Sequence, residues 1–147
     1  MLVVRPVGPV TVLGAVVVAL VFIALVSRLR EPTRREFNAI FVAGAGAAYL
    51  SGGLGLWEFA YTTVATVVAW RGLRSYRFVG LAWAMHTAWD VVHHLYGDPI
   101  VFLDRSSSAG CAVCDAVLAL WFFAGAPSPW GRRRRGADTL EGCAPDS

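Results

Sequence analysis

Residues 37–70 carry a single charged side chain, Glu58. As one straight helix this stretch would be about 51 Å long at about 1.5 Å per residue, well beyond a bilayer hydrocarbon core of about 30 Å. It therefore has to fold back on itself, and Ser51-Gly52-Gly53-Leu54-Gly55 is the natural turn. The result is a pair of apolar helices, expected at 37–50 and 56–70.

The rest of the chain repeats the pattern. A run at 7–26 is about 20 residues long, whereas the apolar core of a cleaved signal peptide is about 7–15, and no small-x-small site follows it. It is read as a retained transmembrane helix. Two further runs, at 78–96 and 110–126, complete an all-α integral membrane bundle of about five transmembrane helices within residues 1–126. Pro32 is expected to keep the connection after the first run free of helix. Residues 127–147, with Pro127, Pro129 and Arg132 to Arg135, are expected to form a disordered basic tail in the cytoplasm. Apolar residues make up 56% of the chain and its mean hydropathy is +0.56, above the usual soluble balance.

All 13 cationic side chains are arginines, and they gather between and after the apolar runs. With five crossings, the arginines at 28–35, at 71–77 and at 132–135 fall on one side, which the positive-inside rule assigns to the cytoplasm. The amino terminus then faces outward, although Arg5 dissents mildly. This predicts a multi-pass protein of a bacterial plasma membrane, with the lipid bilayer as its partner. The net charge of +3 reports topology, not nucleic-acid binding, and no Gly-rich phosphate loop is present.

The most informative chemistry lies in His86-Thr87-Ala88-Trp89-Asp90-Val91-Val92-His93-His94, which holds all 3 histidines. Ionisable groups at membrane depth are costly and mark a functional site by default. At helical spacing His86, Asp90, His93 and His94 share a broad face. His86 and His93 are about 10 Å apart along the axis, too far to bind one zinc ion through bonds of about 2.0–2.1 Å. One divalent metal such as zinc could instead take Asp90 with His94 or His86, completed by Glu58 or Asp115 from other helices, and with His93 included the three histidines and three carboxylates count as six ligands for a two-metal site. Glu58, His93, His94, Cys111, Cys114 and Asp115 are expected near the outer leaflet, with Asp90 one turn deeper and His86 near mid-membrane. Asp90 and Glu58 are the catalytic candidates. A structural reading stands beside this: the polar groups hold helices together, and Glu58 and Asp115 cap helix amino termini.

Cys111-Ala112-Val113-Cys114 is a Cys-x-x-Cys at an expected helix start, where the dipole favours a thiolate. It is a redox candidate if it faces outward, or two small residues in helix packing. Cys143, in the tail, is not expected to take part.

The run from His86 to Ile100, His-Thr-Ala-Trp-Asp-Val-Val-His-His-Leu-Tyr-Gly-Asp-Pro-Ile, followed by Cys111-Ala112-Val113-Cys114-Asp115, resembles a family of small bacterial integral membrane proteins known only as a domain of unknown function. The likeness covers the second to fifth helices and implies no activity, cofactor or catalytic residue. From the residues themselves the expected activity is metal-dependent hydrolysis of a lipid or lipid-linked substrate. The alternatives are a proton or ion relay within a larger transporter and a non-catalytic scaffold. The short second and third helices suit a homo-oligomer or larger membrane complex.

Overall fold

Each apolar run becomes one helix. A computed structural model of the chain describes residues 7–50, 52–98, 101, 104 and 106–130. The helices are α1 (Pro9–Val26), α2 (Thr33–Ala47), α3 (Leu56–Gly72), α4 (Tyr76–Tyr96) and α5 (Ser107–Phe123), and no strand is present among the described residues. α4 packs on α5 over the most extensive interface and also touches α3 and α2, whereas α1 is held mainly by α5.

Helix ends depart from the expected ones where a helix opens on a polar turn. α2 begins at Thr33, four residues before the apolar stretch, because Pro32 initiates the helix instead of ending it. Its carbonyl accepts the backbone N–H groups of Arg35 and Glu36, and its missing N–H costs nothing at a helix start. α5 likewise opens at Ser107, not Gly110. At its other end Gly125, in the left-handed region at φ +84°, closes α5 at Phe123. The α2–α3 connection bears out the turn read from its glycines: Gly53 and Gly55 have φ of +91° and +61°, values glycine adopts at no steric cost.

The first residues of the expected tail are not free. The Trp121 indole donates to the Pro127 carbonyl, the Ser128 hydroxyl donates to the Ser27 carbonyl, and the Trp130 indole donates to the Ala24 carbonyl. Arg28 lies over the Trp130 ring. Residues 131–147, with Arg132 to Arg135 and Cys143, lie outside the described residues, as does Arg5.

The core is made chiefly of small residues and a few aromatics: Ala19, Ala39, Ala69, Ala82 and Ala119 pack with Val79, Trp83 and Phe122. Large apolar side chains point outward instead, among them Val10, Leu13, Ile40, Trp57, Val64 and Leu120. Asn38, Glu58, His86, Asp90, His93 and Asp115 point inward. Among the described residues α1 is the one helix long and apolar enough on its own to cross a membrane, and α5 is apolar but shorter.

Two arginine-bearing connections meet at one end. Arg34 donates to Glu31 at 2.6 Å and to the Tyr76 hydroxyl at 2.9 Å, the Tyr76 hydroxyl also bonds Glu31, and Arg35 donates to the Leu73 carbonyl. Partial burial pushes the Glu31 carboxyl up, but the Tyr76 and Arg34 hydrogen bonds outweigh it and hold the group below its usual 4.5. A depressed carboxylate stabilises the fold above its unfolded pKa and loses that contribution as pH falls through its folded value. Thermal unfolding should therefore separate wild type from Glu31→Gln at neutral pH, by no more than about 1 kcal/mol for so exposed a pair. The difference should shrink as pH drops below 4.5. Gly72 tests the packing of three helices at this end, since a Cβ there would lie 2.9 Å from Val79 Cγ2 and 3.3 Å from Ala39 Cβ. Gly72→Val should destabilise the bundle by about 1–3 kcal/mol, read by thermal denaturation.

Candidate metal centre

On α4 the spacing of four then three residues brings His86, Asp90 and His93 onto one inward stripe, with exposures of 5%, 0% and 0%. His94, one residue further round the helix, is half-buried, and its Nδ1 has no hydrogen-bond partner.

α5 supplies Asp115. His86 Nδ1 lies 2.6 Å from Asp115 Oδ2 and 3.6 Å from Asp90 Oδ2. One ligand atom from each of His86, Asp90 and Asp115 falls within 4.8 Å of the other two, so these three residues could hold a metal ion. The turn just after α2 adds Tyr49, whose hydroxyl donates to Asp90 Oδ1. Asp90 Oδ2 and His86 Nε2 are buried without a hydrogen-bond partner. Such orphaned atoms cost about 1–3 kcal/mol each, which a bound cation would recover at the carboxylate.

A second cluster lies along the same stripe. His93 Nε2 is 3.2 Å from Glu58 Oε2, which also accepts the Trp89 indole N–H at 3.3 Å. Glu58 Oε1 accepts the Leu54 backbone N–H at 3.0 Å, so the carboxylate also serves the start of α3. Gly52 and Gly97 lie against the His93 ring, where a Cβ on either would collide with it. Tyr49 joins the clusters: its hydroxyl reaches Asp90 while its ring stacks on His93 with centroids 4.1 Å apart.

The expected residues therefore divide. His86, Asp90 and Asp115 come together, Glu58 pairs with His93 instead of completing that site, and His94 joins neither. The expectation of one depth for six outer-leaflet groups fails at Asp115. Because α5 starts at Ser107, Asp115 is the ninth residue of the helix, too far in to cap it and level with His86. Cys111 and Cys114 are free thiols, both half-buried. Tyr49 was not legible as a site residue, since a tyrosine near the Gly-rich turn has no spacing signal.

Tyr49→Phe removes the one hydrogen bond to Asp90 Oδ1 found among the described residues while keeping the ring on His93. It should destabilise the protein by about 1–3 kcal/mol, and Asp90→Asn in the same background should recover part of the loss, because a neutral amide is cheaper to leave unpaired. Thermal denaturation of the single and double variants measures both.

No curated protein and no solved structure matches the chain. A family model described as a family of unknown function, DUF6010, matches residues 10–128, which span nearly all of α1 and the four helices after it. With this match over most of its length, the chain belongs to the DUF6010 family of unknown function.

Proposed function

We propose that the chain is a five-crossing membrane protein that binds one divalent metal ion at His86, Asp90 and Asp115 and uses it in hydrolysis of a lipid or lipid-linked substrate. The observation that carries this reading is the cluster itself: two carboxylates and an imidazole, each at most 6% exposed, with ligand atoms within 4.8 Å of one another. In the deprotonated forms that bind metal, two carboxylates and one imidazole make a donor set of net charge −2, which a divalent cation would balance. Zinc with three protein ligands keeps a fourth position for water, whose pKa falls to about 7.

The membrane reading draws support from the distribution of polarity. Large apolar groups face outward and ionisable groups face inward, the reverse of what water selects. Arg34 and Arg35 reach the α3–α4 connection, bringing two basic connections to one end, as cytoplasmic loops require. α2 and α3, with 15 and 17 residues, are short for a bilayer crossing of about 20. Their inward polar groups and short length keep them from meeting the criterion that α1 meets alone. In this reading the amino terminus is outside, the arginine-bearing connections are cytoplasmic, and the membrane is a bacterial plasma membrane.

One distance favours a second reading. Two ligands on a tetrahedral zinc ion, each bonded at about 2.0–2.1 Å, stand about 3.3 Å apart. The 2.6 Å between His86 Nδ1 and Asp115 Oδ2 is instead a hydrogen-bond length, suited to a pair that shares a proton. With Tyr49 on Asp90, this makes a relay the alternative.

Elemental analysis of detergent-purified protein separates the two. About one metal ion per chain is expected in wild type and none in a His86→Ala, Asp90→Ala variant whose helicity by circular dichroism is unchanged. Absence of metal from wild type, before and after incubation with zinc, would reject the metal site and leave the relay.

A further inference from the structure

The end of the bundle where the arginine-bearing connections meet also holds a pocket of about 210 Å³. Trp70, Arg71, Arg74, Ser75 and Phe78 wall it, from the end of α3 through the connection to the start of α4. Arginines at this end are of two kinds. Arg34 is taken up by Glu31 and Tyr76 and Arg35 by the Leu73 carbonyl, whereas Arg71 and Arg74 have no side-chain hydrogen bond or ion pair among the described residues. Nor does the carboxyl end of α3 need them, because the carbonyls of Trp70, Arg71 and Gly72 already accept the N–H groups of Leu73, Arg74 and Ser75. The Arg71 guanidinium lies over the Trp70 ring instead, 5.6 Å from its centre. Ser75 is the N-cap residue of α4, yet its hydroxyl makes no capping bond. Three side chains able to donate to one anion thus share a pocket whose lining, among the described residues, holds no carboxylate.

We propose that this pocket binds the phosphate group of an anionic phospholipid. The inference rests on the proposed membrane reading, in which this end faces the cytoplasmic leaflet, and names the lipid that the bundle takes as a partner there. Two guanidiniums and a hydroxyl match the oxygens of a phosphate in number and charge. The rest of the headgroup sets the preference. Phosphatidylcholine offers the same phosphodiester but carries a quaternary ammonium that two arginines repel, whereas phosphatidylglycerol carries no cation. The volume lies below the about 300–1,000 Å³ of sites that enclose a small molecule, so the pocket takes the head and leaves the acyl chains outside. Those chains have an apolar face to lie on: Trp70, Phe78 and Val67, one turn before Trp70, are all exposed. A free phosphate would gain nothing from that face, which favours a lipid as the occupant.

Native mass spectrometry of the full chain in a non-ionic detergent tests this, with titrations of dioleoylphosphatidylglycerol and dioleoylphosphatidylcholine, whose chains are identical. The first lipid bound should have a Kd about tenfold lower for phosphatidylglycerol. Arg71→Gln and Arg74→Gln should each weaken phosphatidylglycerol binding about fivefold, the effect of one charge near an anionic headgroup, and change phosphatidylcholine binding little. Arg30→Gln removes an exposed arginine of the other connection, outside the pocket, and should leave both constants unchanged. Circular dichroism checks that each variant keeps its helicity.

Equal binding of the two lipids, or the same loss in Arg30→Gln as in the pocket variants, would overturn the proposal. Displacement of phosphatidylglycerol by millimolar inorganic phosphate would also overturn it and make the pocket a site for free phosphate. Carbonate extraction of cells making the chain tests the membrane reading apart. Wild type in the soluble fraction would reject the crossing, and a retained preference for phosphatidylglycerol would then support the pocket as the lipid site of a peripheral protein. A chain that stays in the membrane yet binds the two lipids equally would reject the pocket alone.

Discussion

An ionised group withdrawn from water costs several kcal/mol unless a partner meets it, and this constraint sets how α4 and α5 pack. Asp115 lies in the interior with His86 as its partner, 2.6 Å away. Sliding α5 along α4 by a single turn, about 5.4 Å, would leave Asp115 without its partner and His86 with Asp90 alone, 3.6 Å away on its own helix. The alanines around them permit close approach in many registers. The polar pair selects one.

From that register the rest of the inner face follows. Once His86 is fixed on Asp115, the same stripe of α4 turns Asp90 toward the end of α2, where Tyr49 meets it, and turns His93 toward the start of α3, where Glu58 meets it. Three side chains of α4, one each from α3 and α5, and Tyr49 just beyond α2 thus form a polar chain through a largely apolar bundle. Tyr49 belongs to both halves because a phenol has two different surfaces, a ring that stacks on His93 and a hydroxyl that reaches Asp90. The glycines at 52 and 97 belong to the same arrangement: only a residue without a Cβ leaves space for the His93 ring between the two connections.

The number and order of the helices were legible because each is an uninterrupted apolar run, and the turn at Gly53 and Gly55 because few other residues adopt its backbone conformation. The starts of α2 and α5 were not, since Thr33-Arg34-Arg35-Glu36 and Ser107-Ser108 have the polarity of a loop and become helical only through the turn that follows. That error carried into the site. With α5 begun at Gly110, Asp115 reads as an end residue, so its meeting with His86 is only one of several possible groupings. The grouping of His86, Asp90 and His93 could be counted from spacing on one helix. Which of them would meet Glu58 and which Asp115 could not, because it depends on how the helices are rotated against one another, and the small-residue stripe of α2 and the alanines of α4 carry no signal for that rotation.

α1 stands apart from this polar logic. It gives no ionisable side chain to the interior and buries only Ala15, Ala19 and Val26, yet its position against α5 determines what can reach Asp115. Small residues on both sides, Gly14 on α1 and Gly110 on α5, leave a groove in place of a sealed contact, and the largely buried carboxylate that fixes the α4–α5 register forms part of its wall. A bulkier pair at those positions would fill that groove and close Asp115 off without touching any of the polar partners. The polar interior that orders α2 to α5 is therefore separable from access to it, which is set by two glycines, one on α1, the helix that takes no part in the polar chain, and one on its neighbour α5.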